Sequence, residues 1–79
     1  MEKNMANGYG LRKGIEYLEN AYETNVEVVA SEEDDFEICI YLSEFPEQEF
    51  TKEDIAMMNM YSCYHSTDHG YSHFTFVVG

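Results

Sequence analysis

The side chains best suited to metal or nucleophilic chemistry fall in one stretch, Cys63-x-His65-x3-His69-x3-His73. Cysteine and histidine are good zinc ligands, but this spacing matches no standard zinc finger. If the stretch is a hairpin turning at His69, then His65 and His73 face each other across the strands. His69 would lie roughly 13 Å away at the tip. We therefore favour two imidazoles packed beside aromatic rings over a zinc site, with a zinc-stabilised domain as the alternative, and expect no cofactor.

The same stretch contains a possible nucleophile and base. Cys63 and His65 are two residues apart, so in a strand their side chains lie on the same side. Such a pair needs an orienting third group and donors for an oxyanion, and the sequence shows neither beside it. A chain of 79 residues also leaves little room for a deep pocket. The sequence favours a protein that is not an enzyme.

Charge is the dominant feature of the composition. Sixteen acidic residues face four basic ones, which gives a formal net charge of −12. Three of the basic residues lie within the first thirteen positions, and only Lys52 follows them. Nucleic acids and anionic membranes are disfavoured as direct partners because their charge has the same sign. A basic protein surface is the partner that this charge favours.

The acids are also patterned. Glu16, Glu19 and Glu23 recur at helical spacing, about 5 Å apart along a helix axis. Phosphates along one strand of DNA are spaced about 3.4 Å apart, a loose match. Further acids would extend the track: Glu27, Glu32, Glu33, Asp34, Asp35 and Glu37. We predict that this set engages Lys and Arg of a partner; the alternative is a solvated surface that keeps a small domain in solution.

These features give the chain a resemblance to small acidic inhibitors encoded by phages and mobile elements, including anti-CRISPR proteins and DNA mimics. The resemblance is carried by the Glu16/Glu19/Glu23 stripe, the acidic cluster at residues 32–35 and the Glu44/Glu47/Glu49 segment, without a diagnostic motif. It implies a stoichiometric inhibitor that occupies the nucleic-acid site of a host defence or DNA-handling protein in the bacterial cytoplasm. An antitoxin-like regulator or acidic interaction module for a basic partner is the alternative.

The chain has enough apolar residues for one thin core, including five Phe and seven Tyr, so it is not a disordered acidic tail. A cluster of soft side chains either fills this core or forms a contact patch, in a monomer or a homodimer: Met57, Met58, Met60, Tyr61 and Tyr64. Neither a signal peptide nor a transmembrane segment is apparent, so we expect a cytoplasmic protein with two thiols.

A long helix is predicted between residues 9 and 24. Its apolar residues recur at steps of four, three and four, the spacing of one helix face: Leu11, Ile15, Leu18 and Tyr22. Gly14 and Ala21 lie near that face and would permit close packing. Residues 1–7 are predicted to be disordered. A second, short helix is predicted over residues 52–59, because Thr51 and Asp54 resemble a capping box.

Alternating apolar residues predict strands over residues 26–30 and 36–42, joined by a polar loop into a hairpin. A second hairpin is predicted from residues 60–65 and 71–78, turning at residues 66–70. The sequence therefore predicts a single α+β domain over residues 8–79 with the order α-β-β-α-β-β. One long and one short helix would lie on one face of a four-stranded antiparallel sheet.

Overall fold

The computed structural model describes residues 2–31, 36–44, 48–67 and 72–77. It contains two helices and four strands in the predicted order. Their bounds are α1, Glu2–Tyr22; β1, Val26–Ala30; β2, Glu37–Leu42; α2, Lys52–Met60; β3, Cys63–Ser66; and β4, His73–Val77. The α+β class and the four-stranded antiparallel sheet are confirmed.

Helix α1 is longer than its apolar spacing predicts. It begins at Glu2, so residues 2–7, which were predicted to be disordered, continue the helix. Glu, Lys, Met and Ala are strong helix formers, and they supply four of these six residues. Apolar periodicity locates only the packed part of a helix, which explains why the predicted start at Tyr9 came too late. The helix ends at Tyr22, two residues before the predicted end.

The sheet has the strand order β1-β2-β4-β3, with every neighbouring pair antiparallel. Strand β1 is one edge and β3 is the other. Both predicted hairpin pairings, β1 with β2 and β3 with β4, are present, and β2 pairs with β4 in the centre. The turn predicted at residues 66–70 falls largely outside the described residues.

Both helices cover the same side of the sheet, which we call the inner face. Leu18 of α1 and Met58 of α2 join the strand side chains in one buried core: Ile40, Leu42, Cys63, Phe74 and Phe76. The opposite side, the outer face, carries the alternate strand residues, and neither helix supplies a member of the core there. Gly14 is buried on the packed side of α1 as predicted, whereas Ala21 is exposed.

Helix α2 begins as the sequence predicts. The Thr51 hydroxyl accepts a hydrogen bond from the Asp54 backbone N–H, and the Asp54 carboxylate accepts one from the Thr51 backbone N–H. The helix continues to Met60 and is capped by Tyr61, and the next residue, Ser62, has a φ of 64° in the left-handed region, which interrupts the backbone before β3. Strand β3 therefore starts at Cys63 rather than at the predicted Met60. Among the described residues, no helix is long and apolar enough to cross a membrane.

Candidate partner-binding surface

The three acids predicted on α1 occupy the side of the helix that faces away from the sheet. Glu16, Glu19 and Glu23 are exposed, whereas Leu18 is fully buried. Glu23 lies one residue beyond the last residue of the helix. The helical spacing therefore predicted correctly that these carboxylates are exposed to solvent.

Basic residues partly neutralise the first of these acids. The ammonium of Lys13 lies 3.8 Å from a Glu16 carboxylate oxygen and 5.6 Å from the centre of the Tyr9 ring. Arg12 is exposed four residues before Glu16, on the same side of the helix. The negative potential of α1 is consequently strongest toward its C-terminal end, at Glu19 and Glu23.

Glu23 is held in an unfavourable position. Its φ of 52° lies in the left-handed region. Glycine is favoured there because the Cβ atom of any other residue crowds the backbone. The C-terminal end of a helix also carries partial negative charge, so acidic side chains there are destabilising. Glu19 lies in that last turn, which contains no basic residue. Glu23 therefore occupies a position that favours glycine, and Glu19 occupies a last turn that favours basic residues.

Replacing Glu23 by glycine is therefore expected to stabilise the fold by about 0.5–1 kcal/mol, because the left-handed backbone is relieved and one acid leaves the helix end. The matched control is Glu19→Gly, which removes the same charge but places glycine inside the helix, where it costs about 1 kcal/mol. Urea denaturation of the two variants should shift in opposite directions. A loss of stability in Glu23→Gly would contradict the assigned helix terminus.

The remaining acids of the predicted track lie on another side of the molecule. Glu27 pairs with Tyr41 in the sheet register, and Glu37 pairs with Val77, which places both acids on the outer face. Glu27 is exposed and Glu37 is half-buried. The structure thus divides the predicted track between the solvent side of α1 and the outer face of the sheet. The predicted acids Glu32, Glu33, Asp34 and Asp35 lie outside the described residues.

Glu23 connects these two sides. It follows the end of α1, and Glu27 follows four residues later in β1, so their Cα atoms are within about 14 Å of each other. Glu19 precedes Glu23 by one helical turn. We call Glu19, Glu23 and Glu27 the acidic corner. No ion pair to any of the three occurs among the described residues.

The predicted pairing of His65 with His73 is wrong by one residue. His65 pairs with Phe74, and His73 pairs with Ser66. A shift of one residue moves a side chain to the other face of a sheet, so His65 points to the inner face and His73 to the outer face. No group of three potential metal ligands occurs within residues 2–31, 36–44, 48–67 and 72–77. His69 lies outside these ranges.

The Cys63 and His65 side chains each contact other groups. Burial raises the pKa of the Cys63 thiol to about 11, and its Sγ atom lies 3.6 Å from the Tyr61 carbonyl oxygen. The His65 imidazole Nε2 lies 2.7 Å from the hydroxyl of Ser72, and its ring contacts Phe50 and Phe74. A protonated, fully buried thiol is a packing group and a poor nucleophile.

The soft side chains near α2 do not form a single patch. Met58 is fully buried in the core, while Met60 at the end of α2 is 73% exposed. Tyr64 is 52% exposed on the outer face, because it pairs with Thr75 in the register. Met58 therefore fills the core, whereas Met60 and Tyr64 contribute exposed apolar surface.

A buried carboxylate cluster was not predicted from the sequence. Asp54 is only 7% exposed and accepts hydrogen bonds from the hydroxyls of Tyr17, at 2.7 Å, and Tyr22. Burial alone would raise the pKa of Asp54, but the bonds from Tyr22, Tyr17 and Thr51 outweigh it and hold that pKa below its ordinary value. This cluster joins the start of α2 to α1, and we assign it a structural role.

Comparison of the chain with protein-family models, curated proteins and solved structures yields no match.

Proposed function

We propose that this protein is a non-enzymatic inhibitor that binds the basic nucleic-acid-binding surface of a host defence or DNA-handling protein in the bacterial cytoplasm. The observation that carries the proposal is the acidic corner. Glu19 and Glu23 are exposed at a helix end where they destabilise the fold, Glu27 is exposed on β1, and no ion pair to any of the three occurs among the described residues. Departures from local stability rules are expected at functional sites.

The overall charge supports the same partner. A net charge of −12 on 79 residues exceeds the magnitude of about 2–8 that keeps a small domain soluble. Such a field steers a basic surface toward the protein and speeds association at low salt. The same surface on the partner would normally hold phosphates, so binding here excludes nucleic acid by occupation.

Reversal of the acidic corner tests the proposal. The triple variant Glu19→Lys, Glu23→Lys, Glu27→Lys is compared with a control of equal net charge, Glu44→Lys, Glu49→Lys, Glu53→Lys, at exposed sites elsewhere. Exposed pairs contribute about 0–1 kcal/mol each, so the corner variant should lose roughly tenfold to hundredfold in affinity and the control much less. The measurement is binding to proteins captured from bacterial lysate at low salt.

Two outcomes would contradict the proposal. Retention of the captured proteins unchanged at high salt would exclude a mainly electrostatic interface. A captured protein that still binds duplex DNA at full affinity in the complex would exclude occupation of the nucleic-acid site, and would favour the acidic interaction module or antitoxin-like regulator.

A further inference from the structure

Strand β1 is an edge of the sheet, and no strand of the described part of the chain pairs with it on the side away from β2. It pairs with β2 through five consecutive residues without a bulge, and β2 continues to β4 on its other side. Helix α1 contacts both edge strands, and the opposite edge, β3, has only four residues and is contacted by α2 as well. Edge strands are commonly protected by proline, lysine, bulges or a covering element. Strand β1, with the sequence VEVVA, contains none of the first three.

The hydrogen-bond pattern shows which backbone groups of β1 point outward. The Ser43 N–H donates to the Asn25 carbonyl and the Ser31 N–H donates to the Glu37 carbonyl, each at 3.0 Å. In an antiparallel pair the residues bonded to the partner strand alternate. The backbone groups of residues 25, 27, 29 and 31 therefore face β2, and those of Val26, Val28 and Ala30 face away from the sheet.

The side chains of β1 are accessible on both faces. Val28 on the inner face is 45% exposed and Val29 on the outer face is 42% exposed. Val28 pairs with Ile40, which is fully buried, so the helical layer ends between these two positions. An incoming strand would find apolar contacts beside its backbone bonds, as in other cases of strand addition to a sheet edge.

The net charge of the protein favours one kind of binding partner at this edge over another. A second copy of the chain would bring another net charge of −12 to the interface, whereas a basic segment would be attracted. Glu27, the second residue of β1, projects to the outer face, and Glu23 precedes the strand in the acidic corner. Opposite charges placed directly across neighbouring strands attract each other, so a basic residue is favoured beside Glu27.

We infer that β1 binds an extended basic segment of the partner as a fifth strand of the sheet. The segment alternates Lys or Arg with apolar residues: a basic residue lies beside Glu27 and an apolar residue beside Val28. This inference rests on the proposed function, since it names the contact through which the basic partner is held.

Two peptides test strand addition directly. One alternates lysine and valine; the other has the same sequence with every valine N-methylated, which removes the N–H groups that would bond Val28. The unmodified peptide should bind at least roughly tenfold more tightly, because the methylated one loses backbone bonds that together exceed about 1.4 kcal/mol. Amide hydrogen exchange should slow at Val26, Val28 and Ala30 on binding.

A variant pair tests the same contact from the protein side. Val28→Pro removes the outward N–H, a change that edge strands tolerate, while Val28→Thr keeps both the N–H and the β-branched shape. Binding of the unmodified peptide should be lost in Val28→Pro and kept in Val28→Thr. If Val28→Pro does not fold, the comparison of the two peptides on the unaltered protein decides the question.

The outcomes separate this inference from the function on which it rests. Equal affinity for both peptides, or no slowing of exchange in β1, overturns strand addition, and salt-dependent capture of basic proteins would still support the inhibitor. Failure of the unmodified peptide to bind also overturns strand addition. Exchange in β1 that slows with protein concentration alone identifies a second copy as the occupant and overturns the basic segment.

Discussion

Replacement of Asp54 by alanine is expected to lower the free energy of unfolding by about 3–4 kcal/mol. The change leaves the hydroxyls of Tyr17 and Tyr22 without their acceptor and removes half of the capping box. Hydrogen bonds to charged groups contribute about 1.5–3 kcal/mol each and a helix cap about 1 kcal/mol, without full additivity. Domains of this size are stable by roughly 4–12 kcal/mol, so the loss is a large fraction.

The neighbouring acid supplies the control. Glu53 lies in the same first turn of α2 but is exposed, so Glu53→Ala should cost less than about 1 kcal/mol. Tyr17→Phe and Tyr22→Phe should each lose about 1–2 kcal/mol, and each should have little effect in the Asp54→Ala background. Urea denaturation of the single and double variants measures these couplings. Additive losses would contradict a shared carboxylate.

The pH dependence of the same cluster has a defined sign. The pKa of Asp54 is held below its ordinary value of 3.8 in the folded state, so its contribution to stability is present above about pH 3.8 and is lost as the pH falls further. The hydrogen bond to Asp54, together with burial, raises the pKa of Tyr17 to about 12. That contribution is present below about pH 10 and is lost as the pH rises toward 12.

The difference in stability between the unaltered protein and Asp54→Ala should therefore be constant near neutral pH and shrink below about pH 3.8. Chemical denaturation followed from pH 7 to pH 3 measures it. A difference that stays unchanged over this range would show that Asp54 keeps its ordinary pKa and that the tyrosine bonds do not favour its ionised form.

Local sequence signals predicted most of the fold for identifiable reasons. A helix stripe, a strand alternation and a capping box each involve residues within about eleven positions, and their physical causes act over that distance. Thr51 with Asp54 is the clearest case, since both reciprocal bonds are present. The exposure of Glu16, Glu19 and Glu23 followed from the same helical geometry.

Features that depend on contacts distant in sequence were missed. Asp54 meets Tyr17 and Tyr22 across separations of 37 and 32 residues, and no local pattern connects them. The register of β3 with β4 depends on the packing of Cys63 and Phe76 in the core. In this register His65 does not pair with His73, contrary to the prediction from the sequence. The division of the acidic track between two sides of the molecule likewise required the relative placement of α1 and β1.

Gly10 is a further residue whose importance only the packing reveals, and Gly10→Ala is expected to lower the free energy of unfolding by about 2 kcal/mol. A Cβ atom at this position would lie 2.5 Å from the Tyr61 carbonyl oxygen and 3.4 Å from the Phe76 ring. The first of these neighbours is backbone and cannot turn aside, so α1 must shift. Overpacking costs about 1–3 kcal/mol, from which the helix propensity of alanine recovers up to about 1.

Gly14→Ala is the matched variant, because it makes the same substitution one turn later on the same face. Its Cβ atom would lie 2.8 Å from Cys63 Sγ and 3.1 Å from the terminal methyl of Met58, and both of these are side-chain atoms. The buried Cys63 sulfur must shift and the flexible Met58 methyl can move, whereas the Tyr61 backbone carbonyl near Gly10 can do neither alone. The cost should therefore be smaller than at Gly10 and partly offset by the gain in helix propensity. Urea denaturation should rank the unaltered protein, Gly14→Ala and Gly10→Ala in falling stability. The reverse order of the two variants would contradict the close approach of α1 at Gly10 to the Tyr61 carbonyl, which follows the end of α2.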